Sequence, residues 1–85
     1  MFQVIWYDSA IDSLAEAIIV ADLPTREALA RGITWLNAQL LIDPVNLGES
    51  RPGKGRRIAF ERPCGIRFTV DPANRIVRVT QFWTY

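Results

Sequence analysis

The sequence predicts an α+β domain, in which a strand and two helices precede three strands and an antiparallel sheet packs on a helical hairpin. Three observations predict this class. Apolar residues alternate with period two near the N-terminus, recur at helical spacing through the middle, and alternate again in the last third. Because 85 residues support one hydrophobic core, we expect a single domain that spans residues 1–85.

The first strand and the first helix follow directly from these patterns. The strand is expected to end near Tyr7, and Asp8 or Ser9 is the expected N-cap of the helix. The apolar face of the strand comprises Phe2, Val4 and Trp6. The apolar residues of the helix recur at helical spacing and are Ala10, Ile11, Leu14, Ala17, Ile18 and Ala21.

A second helix is predicted after Pro24, with Thr25 as its expected cap and Asp43-Pro44 as its end. Its apolar seam consists of Leu29, Ile33, Leu36 and Leu40. Gly32 lies within this helix, where glycine costs about 1 kcal/mol relative to alanine. We interpret Gly32 as a point of close approach by the first helix.

The remaining residues predict a loop and three strands. Glycine and proline are dense between Gly48 and Gly55, which indicates a loop. The expected strands span residues 57–62, 65–71 and 75–83, with a turn at 71–74. In the middle strand, alternation assigns opposite sheet faces to two sets, Ile66, Phe68 and Val70 against Gly65, Arg67 and Thr69.

Charge is segregated along the chain, with a net charge of −5 over residues 1–49 and +6 over residues 50–85. The basic residues of the second part are Arg51, Lys54, Arg56, Arg57, Arg62, Arg67, Arg75 and Arg78. Arginine binds carboxylate or phosphate groups through two parallel hydrogen bonds, so this composition favours recognition of an anionic partner.

Several chemistries are excluded by composition. Cys64 is the only cysteine and the chain has no histidine, so we expect no disulfide, no metal site, no cofactor and no catalytic imidazole. No apolar run approaches the roughly 18 residues of a membrane span, and the N-terminus does not resemble an export signal. We therefore expect a soluble cytoplasmic protein with no membrane partner.

Several short segments occur in a characteristic order along nearly the whole chain. They are Val4-Ile5-Trp6, Ala10, Leu40, Asp43-Pro44, Gly48, Arg57-Ile58, Ile66-Arg67-Phe68-Thr69-Val70 and Val77-Arg78-Val79. In this order and spacing the sequence resembles the RelE/ParE superfamily, the toxins of type II toxin–antitoxin and plasmid-stabilisation systems. The resemblance implies growth inhibition and a cognate antitoxin as partner.

Members of the RelE branch cut messenger RNA on the ribosome, and the resemblance to them is incomplete. If Phe68 aligns with the aromatic residue of the family's Arg-x-x-Tyr pattern, the phosphate-binding arginine falls on Gly65. Arg67 is expected on the same sheet face and is the candidate to replace it. Glu61 is the candidate base and Tyr85 the candidate acid, since cleavage through the 2′-hydroxyl needs both.

The ParE-like branch, whose members inhibit DNA gyrase by binding, is therefore the better match. The predicted target-binding residues are Arg51, Lys54, Arg56, Arg57, Arg67, Arg78 and Trp83. Three alternatives remain open: a RelE-like ribosome-dependent endoribonuclease, a binding module without toxicity, and a small nucleic-acid-binding domain that stacks bases on Phe82 and Trp83. The near-neutral net charge of +1 disfavours the last of these.

Overall fold

The computed structural model describes residues 1–85 and has the predicted α+β class. A short 3₁₀ helix follows the second α-helix, and neither α-helix has an apolar stretch that could cross a bilayer. In chain order the elements are β1 (Gln3–Trp6), α1 (Asp8–Val20), α2 (Leu23–Ile42), the 3₁₀ helix (Pro44–Asn46), β2 (Glu49–Ser50), β3 (Arg56–Glu61), β4 (Cys64–Asp71) and β5 (Ile76–Thr84).

The sheet has five strands in the order β1-β5-β4-β3-β2. Three strand pairs are antiparallel, whereas β1 pairs parallel with the first half of β5. Two details of the predicted sheet are therefore wrong. The loop after α2 contributes a two-residue edge strand, and the sheet is mixed because the two helices return the chain to the end of the sheet from which β1 started.

Both predicted helix caps are wrong by a few residues. Helix α1 begins at Asp8, and its N-cap Tyr7 makes no side-chain capping bond. The N-cap of α2 is Asp22, whose Oδ1 accepts a hydrogen bond of 3.0 Å from the backbone N–H of Thr25. Thr25 is thus the donor of this cap, and Pro24 occupies the first turn, where it removes no helical hydrogen bond.

Arg26 fixes the junction between the two helices. The last turn of α1 contains no basic residue, and its carbonyl groups lack helical partners. The Arg26 guanidinium, from the first turn of α2, donates hydrogen bonds of 2.9 Å to the Ile18 carbonyl and 3.3 Å to the Ile19 carbonyl. A positive charge at the C-terminus of α1 also complements the helix dipole.

The core lies between the two helices and the inner face of the sheet. Its fully buried side chains include Leu29, Leu36, Leu40, Ile66, Phe68, Val77 and Val79. The interpretation of Gly32 is wrong in its partner. A Cβ atom at Gly32 would lie 2.8 Å from the Cys64 Sγ atom and 3.1 Å from the Glu61 carbonyl oxygen, so α2 approaches the β3–β4 turn closely and not α1.

A β-bulge interrupts β5 at Thr80. Phe68 pairs with Val79 and Arg67 pairs with Gln81, which leaves Thr80 as the extra residue. The Thr80 hydroxyl donates a hydrogen bond of 3.3 Å to the Arg67 carbonyl. Since one extra residue reverses the alternation of a strand, Val79 and Phe82 both face the core although they are three positions apart.

Candidate functional site

The outer face of the sheet, opposite the helices, bears three rows of directly paired residues that cross β3, β4 and β5. The rows, in strand order, are Arg56, Thr69 and Arg78, then Ile58, Arg67 and Gln81, then Phe60, Gly65 and Trp83. Paired residues project to the same side of a sheet. The first two rows therefore carry basic and polar groups except for the buried Ile58, and the third places two aromatic groups on either side of Gly65.

A shallow pocket of about 530 Å³ lies over the first two rows, and we call it the basic pocket. The loop between β2 and β3 forms one wall and the end of β1 another. Its lining residues are Tyr7, Arg51, Pro52, Arg56, Arg57, Arg67, Phe68, Thr69, Thr80 and Gln81. Four of these residues are arginines and none is acidic, so the pocket is suited to an anionic group.

A second pocket of about 570 Å³ adjoins the basic pocket and shares Tyr7, Arg56 and Thr69 with it. It adds two predicted target-binding residues, Lys54 and Arg78, together with Asp71. Hydrogen bonds from the Asn74 side chain and backbone lower the pKa of Asp71, and the charge of Arg78 lowers it further. Arg78 therefore has an ionised carboxylate nearby, as Arg51 has in Glu49, whereas Arg56 and Arg67 have no ion-pair partner.

The guanidinium groups of the outer face are largely unpaired. The chain has one ion pair within 4.0 Å, between Arg51 and Glu49 at 3.5 Å, and both side chains are well exposed. Such surface pairs contribute little to stability. Arg56 and Arg67 make neither an ion pair nor a side-chain hydrogen bond. Their charges are thus available to a ligand.

Arg57 differs from the other arginines of the basic pocket because its guanidinium group donates hydrogen bonds to backbone carbonyls. Its Nε atom donates a hydrogen bond of 2.8 Å to the Leu47 carbonyl, and a terminal nitrogen donates one of 3.0 Å to the Gly48 carbonyl. These bonds tie the segment between the 3₁₀ helix and β2 to β3. The predicted role of Arg57 in target binding stays a prediction, and any test of it must allow for the loss of this tether.

Aromatic side chains form the third row and its margin. Phe60 makes edge-to-face contacts with Trp83 and Tyr85, with ring centroids 5.8 and 5.5 Å apart, and Arg62 lies 4.6 Å over the Tyr85 ring. The Trp83 indole covers Gly65, where a Cβ atom would lie 2.5 Å from the indole ring. An arginine at position 65 would have to displace this ring.

The three candidates for ribonuclease chemistry lie apart. Arg67 is in the basic pocket. Glu61 borders a separate cavity of about 330 Å³ against α2, and Tyr85 borders a crevice beside the junction of α1 and α2. General acid–base catalysis needs its groups within hydrogen-bond reach of one reacting centre, and the structure does not place these three in one site.

The position of Phe82 contradicts the idea that it stacks nucleobases. Its side chain is 3% exposed and packs in the core, with the Trp6 ring centroid 6.4 Å away. The β-bulge is the reason, because it turns Phe82 inward and Trp83 outward. Trp83 is half-buried on the outer face, so it alone of the two is accessible to a ligand.

Sequence reasoning missed Tyr7, Thr80 and Gln81, which all line the basic pocket. For Thr80 and Gln81 the signal was present in β5, where apolar residues at 77 and 79 are followed by one at 82. This break in period two predicts a bulge, and bulges are frequent beside functional sites. Tyr7 stands at the end of β1 and gave no comparable signal.

Cys64, the first residue of β4, is buried against α2 and supplies a pH-dependent prediction. Burial, and to a lesser extent the Glu61 charge, raises the pKa of the Cys64 thiol from 9.0 to about 11. Above pH 9.0 the unfolded chain loses this proton while the folded chain keeps it, so stability falls by about 1.4 kcal/mol per pH unit until the folded thiol also ionises. Urea unfolding across this range should show a steeper loss for wild type than for Cys64→Ala, and equal slopes would contradict it.

Solved structures with folds similar to this one include chains of three toxin–antitoxin systems. A chain of the RelBE2 toxin–antitoxin complex from Mycobacterium tuberculosis gives a TM-score of 0.74 at 19% identity, covering 99% of this chain and 98% of that one. The chromosomal ParDE system of P. aeruginosa gives 0.70 at 13%, covering 99% and 96%. The intact E. coli RelBE complex gives 0.68 at 13%, covering 100% and 98%.

These similarities extend over the full length of the chain and confirm the predicted RelE/ParE-like fold. ParE-type and RelE-type systems appear among them at comparable similarity. No protein-family model and no curated protein sequence matches the chain.

Proposed function

We propose that this protein is the toxin of a type II toxin–antitoxin system, that it inhibits growth by binding an intracellular target of the gyrase type, and that a cognate antitoxin neutralises it. The proposal is supported by a full-length RelE/ParE-like fold whose neighbours are toxin–antitoxin complexes. The observation on which it mainly rests is the basic pocket, which four arginines line without an acidic residue.

Binding is favoured over cleavage by the arrangement of the candidate residues. Arg67 can stabilise an anion, but Glu61 and Tyr85 border other cavities. The position expected for the family's phosphate-binding arginine is Gly65, beneath the Trp83 indole. A site with cationic groups and no nearby acid–base pair is suited to recognising an anionic surface, since charge complementarity increases the rate and specificity of association.

The test is growth of a bacterial host after induction of this chain alone. We expect arrest by wild type and loss of arrest by a double variant, Arg56→Gln with Arg67→Gln, which removes two unpaired charges from the basic pocket. Arg57 is left intact because replacing it would also remove its hydrogen bonds to the Leu47 and Gly48 carbonyls. A loss of activity could then reflect loss of structure as well as loss of binding. Circular dichroism of the purified variant should show an unchanged fold.

A matched control removes the same charge elsewhere. Arg31→Gln with Arg62→Gln lowers the net charge equally at a separate cavity between α2 and the β3–β4 turn, and this variant should still arrest growth. Arrest by the Arg56/Arg67 variant would exclude the basic pocket as the target-binding surface. Normal growth with folded wild type would argue against toxicity in that host.

The target is then distinguished by two assays of purified wild type. The proposal expects inhibition of gyrase supercoiling in a reaction that contains no ribosomes, and no cleavage of messenger RNA in a ribosome-dependent translation reaction. Cleavage without inhibition of gyrase would replace the proposal by the ribonuclease alternative, and Glu61→Gln and Tyr85→Phe would then test those two residues for proton transfer.

A further inference from the structure

The second half of β5 has no neighbouring strand on one side. Strand β1 pairs with β5 only as far as Trp6 opposite Val79, and the last bond between them runs from the Tyr7 N–H to the Val79 carbonyl. Strand β5 continues to Thr84. From residue 81 to residue 84 it is therefore paired with β4 alone, and we call its other side the β5 edge.

The backbone groups at this edge belong to Phe82 and Thr84. The Tyr85 N–H donates a hydrogen bond to the Pro63 carbonyl at the β4 side. Because successive residues of a strand direct their N–H and C=O groups to opposite sides, Thr84 and Phe82 direct theirs away from β4. Neither residue takes part in a backbone hydrogen bond to a loop or to α1. An edge of this kind is a template for another strand.

A crevice runs between the β5 edge and helix α1. It consists of two cavities of about 530 and 370 Å³ that share Ala17, Val20 and Thr84. Apart from Glu16, the side chains contributed by α1 are small or apolar, and Val20 is 78% exposed. The crevice thus combines unpaired backbone groups on one wall with an accessible apolar surface on the other.

The charges at the rim of the crevice are negative. Glu16 borders one cavity and Asp22 the other, and no basic residue lines either cavity. Hydrogen bonds from Thr25 lower the pKa of Asp22, so its carboxylate is ionised at neutral pH. The helix α1 itself has three acidic residues and no basic one.

We propose that the crevice binds an extended segment of a partner protein, which adds a strand to the β5 edge. Alternate backbone groups of the segment pair with Phe82 and Thr84, small apolar side chains contact Ala17 and Val20, and a basic residue at either end approaches Glu16 and Asp22. This is the β-augmentation mode of peptide recognition. The inference rests on the proposed function only for the source of the segment, which the antitoxin would provide.

The rim charges argue against a second copy of this chain as the occupant. A two-fold pairing of two β5 edges would bring both α1 helices, with their acidic side chains, to the same interface. Like charges placed opposite one another oppose association. The basic ends of a partner segment would instead be attracted to the acidic rim, so charge complementarity favours such a segment as the occupant.

The test uses the whole protein and a synthetic heptapeptide with alternating valine and threonine between two terminal lysines. Two control peptides have glutamates in place of the lysines, or N-methyl groups on the backbone amides of one edge. In NMR titrations we expect the lysine peptide to shift the amide signals of Phe82, Thr84, Ala17 and Val20. Both controls should bind at least about tenfold more weakly, equivalent to about 1.4 kcal/mol.

Two variants of the protein provide independent checks. Thr84→Pro removes an N–H that faces the open edge and leaves pairing with β4 intact, so it should fold and lose peptide binding. Val20→Lys places a positive charge in the crevice, where it repels the lysines of the peptide, and should also weaken binding. Its control is Ile42→Lys, which changes an apolar residue of similar exposure, 70% against 78%, outside the crevice, and this control should bind normally.

Several outcomes would overturn the proposal: no signal shifts at millimolar peptide, shifts confined to the basic pocket, or equal affinity for the N-methylated peptide. A wild-type dimer that Thr84→Pro converts to a monomer would show that a second copy covers the edge, and it would overturn the proposal too. Growth arrest separates this inference from the proposed function. Thr84→Pro expressed alone should still arrest growth, and a harmless wild type would leave the peptide measurements unaffected.

Discussion

Replacing Gly48 with alanine is expected to destabilise the domain by roughly 3 to 5 kcal/mol, because left-handed backbone strain adds to a clash with β3. Gly48 has a φ angle of +66°, and a Cβ atom there would overlap the Ile58 carbonyl oxygen. The obstacle is backbone, which no side-chain rotation removes. Urea unfolding followed by tryptophan fluorescence gives the loss directly.

Ser50→Ala is the control for Gly48→Ala, since Ser50 is an exposed residue only two positions further along the chain, in β2. Its free energy of unfolding should stay within about 0.5 kcal/mol of wild type, the range usual for surface substitutions. If Gly48→Ala were equally mild, the backbone at Gly48 would have moved away from Ile58, and the entry into β2 would be adjustable.

Arg57→Ala is expected to lower the free energy of unfolding by about 2 kcal/mol, because hydrogen bonds from a charged donor contribute about 1.5 to 3 kcal/mol. The substitution leaves the Leu47 and Gly48 carbonyls without their donor. Arg56→Ala, one residue earlier, removes an exposed side chain that makes no such bond. It should change stability by less than about 0.5 kcal/mol.

The two adjacent arginines should therefore separate stability from activity. Under the proposed function, Arg56→Ala reduces growth inhibition at a nearly constant free energy of unfolding. The main effect of Arg57→Ala is a lower free energy of unfolding. Urea midpoints and growth curves for both variants measure this difference. Equal losses of stability for the two variants would show that the tether from Arg57 to the loop is not maintained in solution.

Much of the fold was readable from the sequence, because the elements follow periodicities set by burial. The seam of α2 was predicted correctly, and Leu29, Leu36 and Leu40 are fully buried. The strands β3, β4 and β5 begin and end within one residue of the predicted bounds. Such patterns persist because each misplaced residue would expose apolar surface or bury a charge.

The features that the sequence did not reveal depend on contacts between distant residues. The parallel pairing of β1 with β5 is decided by how two helices return the chain, and no local pattern encodes it. The role of Gly32 depends on Cys64, and the contacts of Arg57 depend on loop carbonyl groups. Composition predicted a basic surface, but only the structure shows which of its arginines are unpaired.

The extra residue at Thr80 has a consequence for how positions in this chain are matched to those of its structural neighbours. Those neighbours share 13 to 19% sequence identity with it. At this level, identical residues are too few to determine the alignment of a nine-residue strand. Where a neighbour lacks the insertion, an ungapped alignment past Val79 would equate each exposed side chain with a buried one. Correspondences for the last six residues have to be assigned by superposing the strands and counting from Thr80, with a gap opposite it.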